Sequence, residues 1–500
     1  MAIEKLFNVL HGSAEYERLR TSLINGEGAL SVFGLGEAHR LHTVGALYND
    51  LGGTLLFVAP SAAAANRVHE ELSRYHENAL LFPPRELPIA VQQYTESPAL
   101  SAQRLACILK LLQGESVLIV TCIEALMQRM APPELIINAT HTIRPGMVIK
   151  PEALLKKFID AGYVREEICE GPGQVTLRGG YIDIFPLTAK NPVRIEFFDD
   201  EIDTLRTFDA LTQRSIENVG MAVIPPATEL PLDRDMRQRG IAALRGKEHF
   251  AEETEILRAG GTPGNALLLL PVFCPESVWL KDYLPKDAVI IADEPSRIEE
   301  SGKLVFDEFL QGLSAVLAEG RGHPKQEGLV HSALDTITGL DTKRTAMLFS
   351  FTRSYGLIRS KGLFKFETRP VSRYMGRTDL LRDDIALWKQ KGYTVLLYAG
   401  QHGKRLADSL ADLDVEAAYT EALNREAVPR ELLIVGESIP MGFDYPEIKL
   451  AAVSEYEIYG TETRARSASA KKRAKLAFAE LEVGDLIVHE AHGIGRFTGV

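Results

Sequence analysis

Three short apolar runs, at 29–33, 54–59 and 117–120, are separated by stretches in which apolar residues recur at helical spacing. The second run ends at Pro60, and Ser61 then stands where a helix N-cap belongs, with Val68, Leu72 and Tyr75 on one face of the helix after it. Strands that alternate with helices predict a parallel α/β sheet. From about 148 to 227 the period shortens to two: 174–185 is broken by Gly179-Gly180, and 193–198 alternates apolar with charged residues before turning at Asp199-Asp200. This predicts a hairpin-rich antiparallel sheet with one solvated face, and puts Arg194 and Glu196 on the same face. The α/β texture then returns, with buried strands expected at 266–270 and 288–292, the latter running into Asp293-Glu294. A further α/β unit is expected from strands at 394–399, 432–435 and 450–453 and helices at 377–391 and 403–412. At the end, 486–489 reads as a strand, 490–493 as a turn and 494–500 as its partner. A lone hairpin is marginal in water, so the chain is expected to stop inside a domain.

The fold class is therefore α/β: a RecA-like lobe, degenerate in its phosphate turn, with a small antiparallel β domain inserted into it. The expected divisions are 1–147 and 228–350 for the two parts of the lobe, 148–227 for the insertion and 351–459 for the second α/β domain. A basic linker follows at 460–482, and 483–500 begins a small β-barrel domain of the Tudor-like kind. The degeneracy is local. In a P-loop the turn after the first strand ends in Gly-Lys-Ser/Thr, which supplies phosphate charge and a magnesium ligand. Here Gly34 and Gly36 are followed by Glu37 and Ala38. A carboxylate faces where a triphosphate would lie, and such a like-charge contact costs several kcal/mol at moderate dielectric. The glycines are read as a tight turn alone. Asp293 and Glu294 sit where a Walker B pair would, with no nucleotide-bound magnesium to hold; they read as a relic or as a cap for the next helix.

Other candidate chemistry thins out on inspection. Gly400-Gln401-His402-Gly403-Lys404 follows a strand and opens a helix, but lacks the P-loop gap and hydroxyl. His489-Glu490-Ala491-His492 brings its second histidine one residue early for helical zinc ligation. Asp199-Asp200-Glu201 has no further ligands spaced around it and reads as a polar turn. Cys107, Cys122, Cys169 and Cys274 form no C-x-x-C pair and are expected as buried thiols in a reducing, cytoplasmic setting. A net charge of −12 argues against a nucleic-acid clamp spread over the whole surface. Arg464, Arg466, Lys471, Lys472, Arg473 and Lys475 confine the basic character to the linker. No apolar run is long enough for a membrane span.

The insertion carries a more specific pattern. Leu177-Arg178-Gly179-Gly180-Tyr181-Ile182-Asp183-Ile184-Phe185-Pro186, with Arg194-Ile195-Glu196-Phe197-Phe198-Asp199-Asp200-Glu201-Ile202, is similar to the UvrA-binding domain of UvrB. Val483-Gly484-Asp485-Leu486-Ile487-Val488-His489 and His492-Gly493-Ile494-Gly495-Arg496-Phe497 resemble the start of the RNA-polymerase-interacting domain of bacterial transcription-repair coupling factors. The wrecked phosphate turn resembles the UvrB-homology module of that same family. The resemblance implies that UvrA binds the inserted domain and RNA polymerase the last one. It also implies that an ATP- and Mg2+-dependent double-stranded DNA translocase lies outside this chain, which itself needs no cofactor. Arg165 and Arg178, thirteen residues apart, match arginines that UvrB turns towards UvrA. Arg194 and Glu196 match its strand pair, Phe185 belongs to the same segment, and Thr176 departs from an arginine of the UvrB pattern. UvrB itself is the rival, as a helicase-like damage-loading protein. It is disfavoured because Gly-Lys-Thr is missing and 81–88 carries no tyrosine cluster, leaving Tyr94 alone.

Overall fold

The computed structural model describes residues 2–87, 97–353 and 355–460, together with the backbone of two strands at 486–489 and 493–496. Its largest sheet has seven strands, in the order Gly362–Lys365, Leu30–Phe33, Thr345–Phe349, Val289–Asp293, Thr54–Ala59, Val117–Cys122 and Leu80–Phe82. Every neighbouring pair in it is parallel. The strands Leu30–Phe33, Thr54–Ala59 and Val117–Cys122 are buried along their whole length, as apolar runs without alternation require when both faces are covered. Ser61 caps the helix Ala62–Tyr75 as expected, its hydroxyl accepting from the Ala64 amide at 3.3 Å. The strand Gly362–Lys365 forms the outer edge of this sheet, so the chain leaves the lobe after Lys365.

One expected strand is absent. Residues 266–270 form a 3-10 turn, Ala266–Leu269, continued by the short helix Leu270–Phe273. The run is one alanine and four leucines with no β-branched residue, and Pro271 at the helix start cannot donate to a ladder. Burial without alternation is common to both element types, and composition decides in favour of the helix.

The insertion departs from the lobe through a two-stranded stalk in which His141–Ile143 pairs antiparallel with Ala222–Ile224. Beyond it lies a six-stranded sheet ordered Ser215–Asn218, Glu201–Phe208, Val193–Phe198, Tyr181–Ile184, Gln174–Arg178 and Val164–Arg165. All pairs are antiparallel except the last. The helix Pro151–Asp160 covers one face, packing Leu154, Leu155 and Phe158 on Val175, Ile182, Ile195, Ile202 and Leu205. The opposite face has no helix on it among the described residues.

The third unit is a five-stranded sheet ordered Ala418–Thr420, Leu432–Val435, Thr394–Tyr398, Leu450–Val453 and Phe443–Tyr445. The helices Thr378–Gln390 and Gly403–Ala411 accompany it, at the expected places. Gly400 turns from strand to helix with φ +52°, an ordinary connection as its sequence suggested. The edge strand Phe443–Tyr445 packs on the lobe. The His42 ring stacks on Phe443 at 4.2 Å, and the His39 ring hydrogen-bonds to the Asp444 carbonyl at 3.0 Å. Both histidines are neutral in this setting: burial pushes His39 down to about 4 and His42 down to about 3. At the far end, Leu486–His489 pairs antiparallel with Gly493–Arg496, the hairpin foreseen there. The basic linker and residues 490–492 and 497–500 lie outside the described residues. All four cysteines are buried thiols.

Candidate functional site

Two places in the molecule carry the residues that the sequence singled out. At the phosphate turn, Gly34 has φ +83°, and a Cβ there would stand 2.1 Å from the Phe366 carbonyl oxygen. Only glycine fits that crossing. Gly36 has ordinary backbone angles and serves as N-cap of the helix Glu37–Leu51, with Glu37 exposed in its first turn. The residue that shapes this region is Arg40, which sequence reasoning missed. Its Nε donates to the Leu35 carbonyl at 3.1 Å, one Nη pairs with Asp293, and the other donates to Glu294 at 2.6 Å. Glu294 also accepts from the Ser350 amide and hydroxyl, both at 2.6 Å, and from Arg353 at 3.1 Å. Of the two expectations for this pair, Glu294 does occupy the N-cap position of the helix Pro295–Ala318, but with φ +54° and no capping bond, its carboxylate being engaged by Arg40 instead. Burial pushes the Asp293 carboxyl up despite Arg40. At Glu294 burial also works upward, but the Ser350 and Arg40 hydrogen bonds outweigh it and hold the carboxyl below its ordinary range. The Arg40 guanidinium bridges the Leu35 carbonyl of the turn to the strand-end carboxylates Asp293 and Glu294. The signal for Arg40 exists only once the strand order is known, because 253 residues separate it from Asp293.

The second place is the open face of the inserted sheet. Register sets its membership. Thr176 faces Asp183, Asp183 faces Arg194, and Arg194 faces Arg206 across successive strands. The next row runs Arg178, Tyr181, Glu196 and Thr204. Arg178, Arg194 and Glu196 are therefore brought together on one face. Arg165 pairs with Val175, whose side chain belongs to the helix-covered core, so its register sets it on the opposite parity, at the sheet's open edge. Phe185 is buried, 7% exposed, and its backbone closes the Gln174 strand at 3.0 Å. Thr176 is buried too, its hydroxyl donating to the Glu167 carbonyl at 3.2 Å.

The members of the face differ in how free they are. Arg194 forms a two-pronged pair with Asp183, at 2.7 and 2.8 Å, and lies over the rings of Tyr181 and Phe208 at 4.5 and 4.7 Å. Its hydrogen bonds to Asp183 raise its pKa further. Glu196 accepts from the Thr204 hydroxyl at 2.7 Å and pairs with Arg206. Arg178 is exposed, as is Arg165, and neither has an ion pair among the described residues. Phe198, passed over as a site residue in the sequence, shares the parity of Arg194 and Glu196 and stands 79% exposed beside the tip at Asp199, whose φ is +56°. An exposed aromatic and an unpaired arginine, Phe198 and Arg178, on one sheet face are residue types enriched in protein interfaces. Asp199 and Asp200 make the hairpin turn and Glu201 opens the next strand, and no group of three metal-ligating side chains occurs among the described residues.

A buried ion cluster ties the end of the insertion to the lobe. Glu229 receives Arg104 at 2.5 and 3.0 Å and lies 3.6 Å from Arg85. Arg104 is fully buried over the Phe82 ring and also donates to the Pro83 carbonyl at 2.6 Å.

The comparisons with known proteins fall on these same segments. A model of the UvrB interaction domain matches residues 142–230, which is the insertion with its stalk, and a model of the CarD-like/TRCF RID domain matches 481–500. Among curated relatives, the transcription-repair-coupling factor of Bacillus subtilis is 30% identical over 96% of this chain. The chain resembles the amino-terminal part of transcription-repair-coupling factors. Those of Staphylococcus epidermidis and Staphylococcus aureus are each 26% identical over 95% of the chain. The chain spans less than half of these relatives, 43% of the Bacillus protein and 42% of the staphylococcal ones. The similarity to transcription-repair-coupling factors thus runs through the lobe, the insertion and the third unit alike. No described helix is long and apolar enough to cross a membrane.

Proposed function

We propose that this chain serves transcription-coupled nucleotide excision repair as a recruitment module, its inserted domain binding UvrA through the open sheet face and the adjoining edge. The observation that carries the reading is the match to the UvrB interaction domain over an insertion with one arginine-bearing face that no described helix covers. Arginine suits the role because its planar fork pairs two ways with carboxylates and keeps its charge when water is excluded. Arg178 and Arg165 are the outward contacts, with Phe198 as an apolar anchor; Arg194 and Glu196 hold the face in shape. The segment at 483–500, which matches the CarD-like/TRCF RID domain, serves a contact with RNA polymerase, and an ATP-driven double-stranded DNA translocase belongs to the part of the relatives that this chain does not match. The lobe itself turns over no ATP, because Arg40 occupies the gap between the turn and the Asp293-Glu294 pair. A UvrB-like helicase would need that gap for magnesium and phosphate.

The test is a titration against UvrA. Arg178→Glu and Arg165→Ala should each weaken binding by about tenfold or more, the scale of a central interface arginine, with thermal unfolding unchanged. Folded variants that still bind within a factor of two would remove this face from the interface.

A further inference from the structure

A cleft of about 750 Å³ opens between the insertion and the lobe, bounded by the outer side of the helix Pro151–Asp160 and by the helices Arg234–Leu244 and Ala251–Arg258. That is within the size range of small-molecule sites, and a junction between two domains is a common place for one. Its floor is apolar, formed by Leu135, Leu232, Ile241 and Leu257. Its walls hold five cations, Lys156, Lys157, Arg234, Arg237 and Arg258, against the two carboxylates Asp160 and Asp233.

The carboxylates are already engaged. Asp160 takes Lys156 at 3.2 Å and Arg237 at 3.1 Å. Asp233 caps the following helix, accepting from the Met236 amide at 2.7 Å. Arg258 pairs with Glu255 on its own helix. Lys157 and Arg234 are left without an ion-pair partner among the described residues, although both line the cleft. Like charges gathered on one concave wall repel each other and focus a positive potential into it, which an anion relieves. The His141 ring lines the same cleft, its pKa held down by burial and then by the charge of Lys157.

We propose that this cleft is a binding site for a small molecule that carries phosphate on an apolar body, the class to which nucleotides belong. Lys157 and Arg234 take the phosphate, with Arg237 held ready by Asp160, and the leucine and isoleucine floor takes the apolar part. The site is separate from the UvrA face and from the phosphate turn, so it stands or falls independently of both.

The experiment uses the whole chain with inorganic pyrophosphate and ADP as probes, followed by calorimetry and by the His141 ring resonances. Both probes should bind saturably at one site, ADP about tenfold tighter than pyrophosphate, with the His141 signals moving along the same curve. Lys157→Glu and Arg234→Glu should each weaken ADP binding at least tenfold. Arg382→Glu, on the surface of the third unit, should leave it within twofold. Both cleft positions are exposed, so thermal unfolding should be unchanged in the two variants. Absence of saturable binding at millimolar probe, binding indifferent to both charge reversals, or ADP no tighter than pyrophosphate would each overturn the proposal.

Discussion

The phosphate turn and the open sheet face both hold an arginine pressed against acidic side chains, yet one is closed by the arrangement and the other is presented by it. Arg40 bonds the Leu35 carbonyl, Asp293, Glu294 and Ser350, so its guanidinium and both strand-end carboxylates are engaged within the lobe. Arg194 is held as firmly, by Asp183 and two aromatic rings, but it lies flat within a sheet face. The exposed Arg178 and Phe198 share that face with it. A buried pair removed from water is weak evidence of net stabilisation, but it fixes geometry and is expensive to break. An arginine's role therefore depends on what stands beside it: Arg40 is enclosed by groups of its own lobe, whereas Arg194 stiffens a sheet face on which Arg178 and Phe198 stay exposed.

The link between these two regions should show the largest effect. Glu229 neutralises Arg104 and Arg85 where the insertion returns to the lobe, and all three are buried. Glu229→Ala leaves two buried cations facing each other, and a loss of about 3–5 kcal/mol is expected, read by denaturant unfolding. The pH dependence has a definite sign. Burial works to raise the Glu229 pKa, but Arg104 and Arg85 outweigh it and hold the carboxyl below its ordinary range. A depressed folded pKa gives stability that is fully present above the unfolded value of about 4.3 and is lost as pH falls through the folded one. The gap between wild type and Glu229→Gln should therefore be constant near neutrality and narrow only in acid. A gap that widened below pH 4 would reverse the assignment of charge in the cluster.

Truncating the two arginines tests the contrast between the turn and the face directly. Arg40→Ala leaves Asp293 and Glu294 adjacent with less to neutralise them, for an expected loss of about 3 kcal/mol. Arg194→Ala leaves the buried Asp183 without its partner and removes two ring contacts, for about 2 kcal/mol. The difference should appear in function: Arg194→Ala weakens UvrA binding only as far as it loosens the sheet, while Arg40→Ala leaves UvrA binding intact. Equal loss of UvrA binding in the two variants would erase the distinction between a sealed site and a presented one.

Much of this architecture was legible in the sequence because the patterns are local. The run 54–59 and its Ser61 cap, the break at Gly179-Gly180 and the alternation at 193–198 each encode an element without help from elsewhere. Parity along 193–198 correctly joined Arg194 to Glu196 on one face, because a strand's period is fixed at two. Local pattern failed where two states share it, as in the leucine run that became the Ala266–Leu269 turn and the helix after it. It also could not reveal partners distant along the chain. Whether Arg194 is free depends on Asp183 and on Phe208, and Arg40 meets Asp293 only because the helix after Leu30–Phe33 and the end of Val289–Asp293 lie at the same end of one parallel sheet. Arg165 matched by spacing, yet its register puts it at the edge, on the other parity from the face.

The smallest effect gives the sharpest separation between two explanations of the turn. If the site were silent only because Glu37 and Ala38 replace lysine and threonine, then Glu37→Lys with Ala38→Thr should restore ATP binding and Mg2+-dependent hydrolysis. If Arg40 closes it, those two changes leave turnover at background, because the guanidinium still fills the gap and Asp293 and Glu294 are still committed to it. The stability cost is expected to be slight. Glu37 is exposed in the first helical turn, where a carboxylate is favoured by the helix dipole and a lysine is not, so a loss of about 0.3–1 kcal/mol is expected from that position. The folded double variant is then assayed for phosphate release with and without Mg2+. Magnesium-dependent release above the wild-type background would show that the missing letters, and not Arg40, had silenced the turn. Release at background in a variant that spells Gly-Lys-Thr would show that those two letters alone do not account for the silence, as expected if Arg40 and its carboxylates close the site.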